Sequence, residues 1–366
     1  MEKVAQWFDE LAKTDTIRET VEGFNLSEYI GSSEDVGKLL ETVDSKLAGI
    51  DVQKIPHILD ALYVTQNKDK FHLFCYLLEK THTDLPFLTS LENYPIHREK
   101  YRALLPTILR VVGELNGIDD CMWLLFLKGV YDKELFDEAI VKSVREVVER
   151  DLTVVCNYIK KSNYDVSDTA ANTAGILLDV AGHFATDGTL ACAEDMLMTK
   201  NNSVKLFAAI NLLTNQKDVD EAVFEEIASE LGMAHRLLRL LERNGCADKY
   251  PSKYADQEWI AKSDLAFWLA YPTELGKNPD EMEKMGVISR DGYDYYVFKF
   301  RSDTEKFKDK GWMIGLSGGY EVGKFTEATS GYTFSKFDTL TDDFERQGNE
   351  IIELISEHWK QRAKQS

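Results

Sequence analysis

The sequence has no arrangement of cysteines that could staple a fold or hold a metal. Its five cysteines, Cys75, Cys121, Cys156, Cys192 and Cys246, are odd in number, scattered, and never spaced as C-x-x-C. That pattern excludes a disulfide framework and a zinc knuckle. Several sit in apolar company, as in Phe74-Cys75-Tyr76 and Val155-Cys156, where cysteine acts as a small core hydrophobe. Only seven prolines occur in 366 residues, which suits a helix-rich chain because proline breaks helices. No run of about eighteen apolar residues is present, so no membrane span is expected. The opening Met1-Glu2-Lys3-Val4-Ala5-Gln6-Trp7 lacks the apolar core of a signal peptide, and the expected location is the cytoplasm. Positive charge is also short: 43 basic residues face 63 acidic ones, a formal net charge of −20. Residues 1–255 carry 28 basic and 42 acidic groups, and residues 256–366 carry 15 and 21. Both parts repel phosphate backbones, which disfavours nucleic acid and favours a basic protein partner.

Catalytic signatures are equally sparse. The seven histidines, His57, His72, His82, His97, His183, His235 and His358, share no i, i+4 spacing and no H-E-x-x-H, so neither a metal site nor a metal cofactor is expected. His72 lies one helical turn before Cys75, yet nothing in the sequence orients the two as base and nucleophile. The acidic pairs Asp119-Asp120, Glu225-Glu226 and Asp342-Asp343 read as helix caps and dipole partners. No G-x-S-x-G occurs. Gly318-Gly319-Tyr320-Glu321-Val322-Gly323-Lys324 matches G-x-x-x-x-G-K, but Phe325 stands where a P-loop needs Ser or Thr for Mg²⁺. A glycine-rich hairpin turn accounts for it better. No catalytic residue and no cofactor is assigned, and the expectation is a protein without enzymatic activity.

What the sequence has in abundance is helical periodicity. Helices are predicted over Val36–Leu47, Lys54–Val64, Phe71–Glu79, Tyr101–Leu115, Leu135–Val148, Thr169–Phe184, Ser203–Leu213, Val219–Leu231 and Ala234–Leu241. Val204, Phe207, Ala208 and Leu212 show the i, i+3, i+4, i+8 spacing of one buried face. Short polar breaks separate these runs, among them Gln66–Asp69, Asn116–Asp120 and Asn215–Asp218, and several begin with Ser, Asp or Asn, the residues of N-caps. A helix, a short turn and another helix at intervals of roughly 15–20 residues is a solenoid layout. With Pro106 inside Leu104–Leu109 and the run Asn202–Leu213, residues 1–250 resemble HEAT or armadillo-like repeats, which implies a right-handed α-solenoid; a non-repetitive helical bundle is the alternative.

A boundary is expected near residues 245–262, after which the texture changes. Strands are predicted at Tyr295–Phe300, Trp312–Leu316, Met285–Ile288 and Tyr332–Phe334, with a turn at Arg290-Asp291-Gly292, followed by a helix over about Leu340–Arg362. Residues 260–366 thus read as a small α+β domain, an antiparallel sheet with one long C-terminal helix. On the strand Tyr295–Phe300, Tyr295, Val297 and Lys299 face one way and Tyr296, Phe298 and Phe300 the other; one face can pack against the helix, and the other is either further core, the favoured reading, or a surface of exposed tyrosines. The loop Trp268-Leu269-Ala270-Tyr271-Pro272-Thr273-Glu274-Leu275-Gly276-Lys277-Asn278-Pro279-Asp280 is conformationally restricted by two prolines and a glycine and reads either as a rigid domain-joining segment, the favoured reading, or as a binding loop. Through Trp268, Pro272, Glu274, Leu275, Gly276 and Pro279, and then Gly311-Trp312-Met313, the last hundred residues resemble uncharacterised bacterial proteins that join helical repeats to such a module; that resemblance implies no established activity.

The candidate binding residues are therefore Trp268, Tyr271, Pro272, Glu274, Gly276, Tyr295, Trp312 and Tyr320. Three functions compete. The first is a protein-interaction or regulatory protein, including an immunity or inhibitor type that neutralises a basic partner. The second is a peptide or small-molecule binder using the C-terminal module. The third is a HEAT-like alkylpurine DNA glycosylase, for which the best basic stripe, Arg236–Arg243, is interrupted by Glu242.

Overall fold

The computed structural model describes residues 1–65, 67–83, 98–114, 121–131, 136–328, 332–340 and 343–362. The protein is mainly helical, with a small antiparallel sheet and a long helix at its C-terminal end. It divides into two compact units, Met1–Val154 and Val155–Ser366. Among the described residues no helix is long and apolar enough to cross a membrane.

The first unit contains α1 (Glu2–Leu11), α2 (Ile17–Gly23), α3 (Ser33–Leu47), α4 (Ile55–Val64), α5 (Lys68–Thr81), α6 (Arg98–Glu114), α7 (Cys121–Tyr131) and the start of α8 (Glu138–Lys161). The capping chemistry is visible in atomic detail. Ser32 accepts a hydrogen bond from the Asp35 amide, and Asn67 accepts from Asp69 and Lys70, filling donors that a helix start leaves empty. Pro106 lies inside α6, as expected. Helices packed on each other bury Val4, Phe8, Leu59, Phe74, Leu105 and Leu124. The Asn116–Asp120 break and His97 lie outside the described residues.

In the second unit α9 (Asp168–Ala181), α10 (Asp187–Met196), α11 (Asn202–Thr214), α12 (Glu221–Ser229) and α13 (Ala234–Arg243) follow in turn, opened by Ser167, Thr186, Asn201 and Asp220 as N-caps for the first four. Helices α9, α11 and α13 begin 34 and 32 residues apart, and α10 and α12 begin 34 apart. The hydrogen bonds between them keep the same interval: Asn211 donates to the Leu178 carbonyl at 2.9 Å and Asn215 to the Gly182 carbonyl at 3.2 Å, each 33 residues back.

Helix α14 (Gln257–Leu269), capped by Asp256, runs through the boundary expected near 245–262. Beyond it come β1 (Glu281–Arg290), β2 (Tyr293–Arg301), β3 (Met313–Glu321) and β4 (Tyr332–Thr339), then α15 (Phe344–Arg362). The sheet is antiparallel in sequence order. Asp291 (φ 54°) and Gly292 (φ 85°) form a two-residue hairpin turn between Arg290 and Tyr293, where two positive φ values match the strand twist.

The strand parity holds, and both faces are core. Val297, Ile314 and Leu316 pack with Ile351 and Ile352 of α15, and Tyr295 leans on that cluster. Phe298, Phe300, Met313 and Tyr320 form one core with Leu265 and Leu269 of α14, Leu237 and Leu241 of α13, and Phe224 of α12. The sheet is thus covered on both faces, and the helices before residue 250 share their core with the strands after 260. In β3 the glycines are set by close approach: a Cβ on Gly318 would lie 2.8 Å from the Asp294 carbonyl oxygen and 2.9 Å from Tyr295 Cα. The segment Glu321–Ala328 turns at Gly323 and opens no helix, so the phosphate-binding geometry of a P-loop is absent there.

Candidate functional site

The proline-rich loop after α14 is tied down along its length. The Glu274 and Gly276 amides both donate to the Tyr271 carbonyl, at 2.9 and 3.0 Å, and the Leu275 amide donates to Leu269 at 3.0 Å. Gly276 has φ +74°, a left-handed conformation that closes helix ends and strains residues with a side chain. This geometry drives Leu275 into the core while leaving its neighbours outside. Lys277 then bridges Asp280 at 2.8 Å and Asp303, and the Asp280 amide donates to the Arg301 carbonyl at 3.0 Å, fastening the loop to the sheet.

Two large aromatics stand out from this scaffold. Trp268 is 40% exposed and Tyr271 47%, with ring centroids 6.0 Å apart. Tyr271 meets Phe267 edge-on at 5.4 Å. Beneath them the Arg236 guanidinium lies over Phe267 at 5.3 Å and over Phe207 at 5.8 Å, a cation–π stack that fixes both rings. Burial lowers the Arg236 pKa, and its polar contacts are long, 3.4 Å to Ser203 Oγ and 3.6 Å to Met233 Sδ. Pro272 is exposed and Glu274 half-buried on the same loop.

The other three candidate residues lie apart from this patch. Tyr320 is 1% exposed, its ring edge-on to Tyr296 at 5.7 Å. Tyr295 is half-buried on the α15 side. Trp312 is half-buried, with Lys299 over its ring at 4.3 Å and Arg301 at 5.2 Å; these cations in turn pair with Glu283 at 2.8 Å and with Glu281.

Sequence reading missed a buried polar chain joining α13, α14 and β3. The His235 amide donates to Ser263 Oγ at 3.2 Å, and His235 Nδ1 lies 3.1 Å from the same oxygen. Ser263 thus holds the ring at Nδ1 and the backbone of the same residue together. Nε2 faces Asp264 Oδ1 at 3.7 Å, too far for a normal hydrogen bond. Ser317 Oγ donates to Asp264 Oδ2 at 2.9 Å, so Tyr320 donates to Ser317 at 2.7 Å. Desolvation, only partly opposed by Asp264, lowers the His235 pKa to about 4, and burial raises Tyr320 well above the ordinary tyrosine value. Serine, histidine and aspartate are all here, yet Ser263 and Ser317 are fully buried and the imidazole is a poor base, so this set bonds the helices to the sheet and offers no route to an acyl substrate. The one local signal was polar Lys262-Ser263-Asp264 interrupting an apolar run.

Among the described residues, no group of three His, Cys, Asp or Glu side chains is placed to hold a metal ion. Compared with family models, curated proteins and solved structures, the chain matches none of them.

Proposed function

We propose that this is a non-enzymatic interaction or regulatory protein whose anchor is the Trp268–Tyr271 patch. The observation that carries the reading is the pairing of two half-exposed aromatics, Trp268 at the end of α14 and Tyr271 on the hydrogen-bonded loop that follows, beside Phe267 with its stacked arginine. Large aromatics dominate the energy of protein interfaces, and a surface already ordered before binding gives up little conformational entropy. Covering both faces of the sheet leaves its tyrosines less suited to that role than the loop.

The partner is proposed to be basic. A net charge of −20 speeds encounter with a positively charged protein and gives an association rate that falls with salt. An immunity or inhibitor protein acting on a basic target fits this pattern. The helices are proposed to form a right-handed HEAT-like array; the 34-residue spacing and the 33-residue hydrogen bonds of the second unit support that reading. A cytoplasmic setting accords with the free thiols Cys75, Cys156 and Cys246. The test is a photo-crosslinker placed at position 271 in living cells. A single cross-linked basic protein supports the reading, and cross-linking to nothing, or to a random set, removes it.

A further inference from the structure

Arg236 of the second unit stands without a counter-charge. Its hydrogen bonds both come from Nη1 and are the long ones to Ser203 Oγ and Met233 Sδ, and no ion pair joins it to a carboxylate among the described residues. Cations nearby are matched: Arg239 meets Glu327 at 2.7 Å, and Lys205 meets Glu226. Glu230, whose charge reaches Arg236, accepts instead from Asn202 Nδ2 at 2.7 Å. The guanidinium is half-buried, and that burial works against its charge. A planar fork of five N–H donors in such a place is matched best by a carboxylate, through charge-assisted hydrogen bonds.

The same arginine belongs to a row of side chains that crosses successive helices. Phe207 of α11, Arg236 of α13 and Phe267 of α14 follow at intervals of 29 and 31 residues, and the two rings flank the guanidinium at 5.8 and 5.3 Å. Gly175 of α9 extends the row, for a Cβ there would lie 2.9 Å from the Phe207 ring. At the other end Phe267 meets Tyr271 edge-on at 5.4 Å. The Trp268–Tyr271 patch is thus continuous with an unmatched cation on the next helix. Packed helices lie about 8–10 Å apart, which an extended chain spans in about three residues.

We infer that the protein docked on the Trp268–Tyr271 patch places an acidic side chain on Arg236, about three residues along an extended segment from the apolar side chain that covers the two aromatics. The inference rests on the interaction reading of that patch and adds the chemistry of its second contact. A partner that is basic overall and carries one carboxylate at the contact meets both the net charge of −20 and the local cation. The test titrates the isotope-labelled full-length protein at low salt with the capped peptide acetyl-phenylalanyl-glycyl-glycyl-glutamate α-amide and with its glutamine and lysine counterparts. The signals followed by NMR are the Trp268 indole N–H and the Arg236 Nε–H. The glutamate peptide is expected to shift both saturably, with affinity about tenfold above the glutamine peptide. Arg236→Met, which keeps an unbranched chain between the two rings, should abolish that preference, and Arg236→Lys should restore part of it. A glutamine or lysine peptide that shifts Trp268 with the affinity of the glutamate peptide overturns the inference and leaves the patch standing. A glutamate preference that survives Arg236→Met overturns it equally. If none of the three peptides moves Trp268, the patch reading fails and takes this inference with it.

Discussion

Lowering the pH from 7 to 5 should loosen the second unit through a single side chain, His235. The imidazole is 3% exposed and is faced by Asp264, Arg236 and Arg239, with burial the dominant influence; its pKa falls from the ordinary 6.5 to about 4. In the unfolded chain the ring takes up a proton near pH 6.5, whereas in the folded chain it resists until about pH 4. The folded state is therefore fully favoured above pH 6.5 and loses this contribution as the pH falls through the window from 6.5 to 4. The full loss is about 3 kcal/mol, with about 2 kcal/mol already gone at pH 5. The assay is native-state hydrogen exchange of the α13 and β3 amides at the two pH values, in the unmodified protein and in His235→Asn. The variant keeps a polar atom for Ser263 but cannot titrate, so its pH 5 to pH 7 difference should be smaller by about 2 kcal/mol. An identical difference in the two proteins would falsify the buried, neutral histidine.

Three further outcomes follow from the same geometry. Ionising Tyr320 is opposed by burial, so stability should fall again as the pH rises above the ordinary tyrosine pKa of about 10; Tyr320→Phe, read in alkaline denaturation, should flatten that limb. Asn211→Ala removes the amide that bonds Leu178 across neighbouring helices and should cost about 1–2 kcal/mol in urea unfolding, while leaving the first unit's exchange pattern unchanged. Gly318→Ala sets a methyl against the backbone of β2, which cannot be relieved by rotating a side chain, and a loss of about 2 kcal/mol or more is expected in the same measurement.

What could be read from the sequence was local. Apolar spacing at Val204, Phe207, Ala208 and Leu212 marked α11, cap residues such as Asn67 and Asn201 marked helix starts, and Asp291-Gly292 marked the hairpin. Period and turn chemistry act over a few residues, so single segments reveal them. Helix α14 was harder, because it is buried on more than one side and its apolar residues form no clean stripe. The fate of the tyrosines was hidden for a related reason. Alternation along β2 separates its two faces but does not say what covers each, so the sequence left core and surface both open for the second face, which α14 covers. The His235–Asp264–Ser317 chain joins residues 28 to 53 positions apart, a separation that leaves no pattern in one sequence. The loop at Trp268–Gly276 was legible as a rigid, unusual segment. That Arg236, some thirty residues earlier, stacks beneath it was not.

The anchor role of Trp268 and Tyr271 is tested most directly by affinity purification of the tagged full-length protein at low salt, in parallel with Trp268→Ala/Tyr271→Ala, followed by mass spectrometry. The side chains are 40% and 47% exposed, so the double variant should stay folded with a loss of about 1–3 kcal/mol. The expected result is a stoichiometric basic partner with the unmodified protein and its loss from the variant. The same partner retained by both, or none recovered by either, contradicts the account.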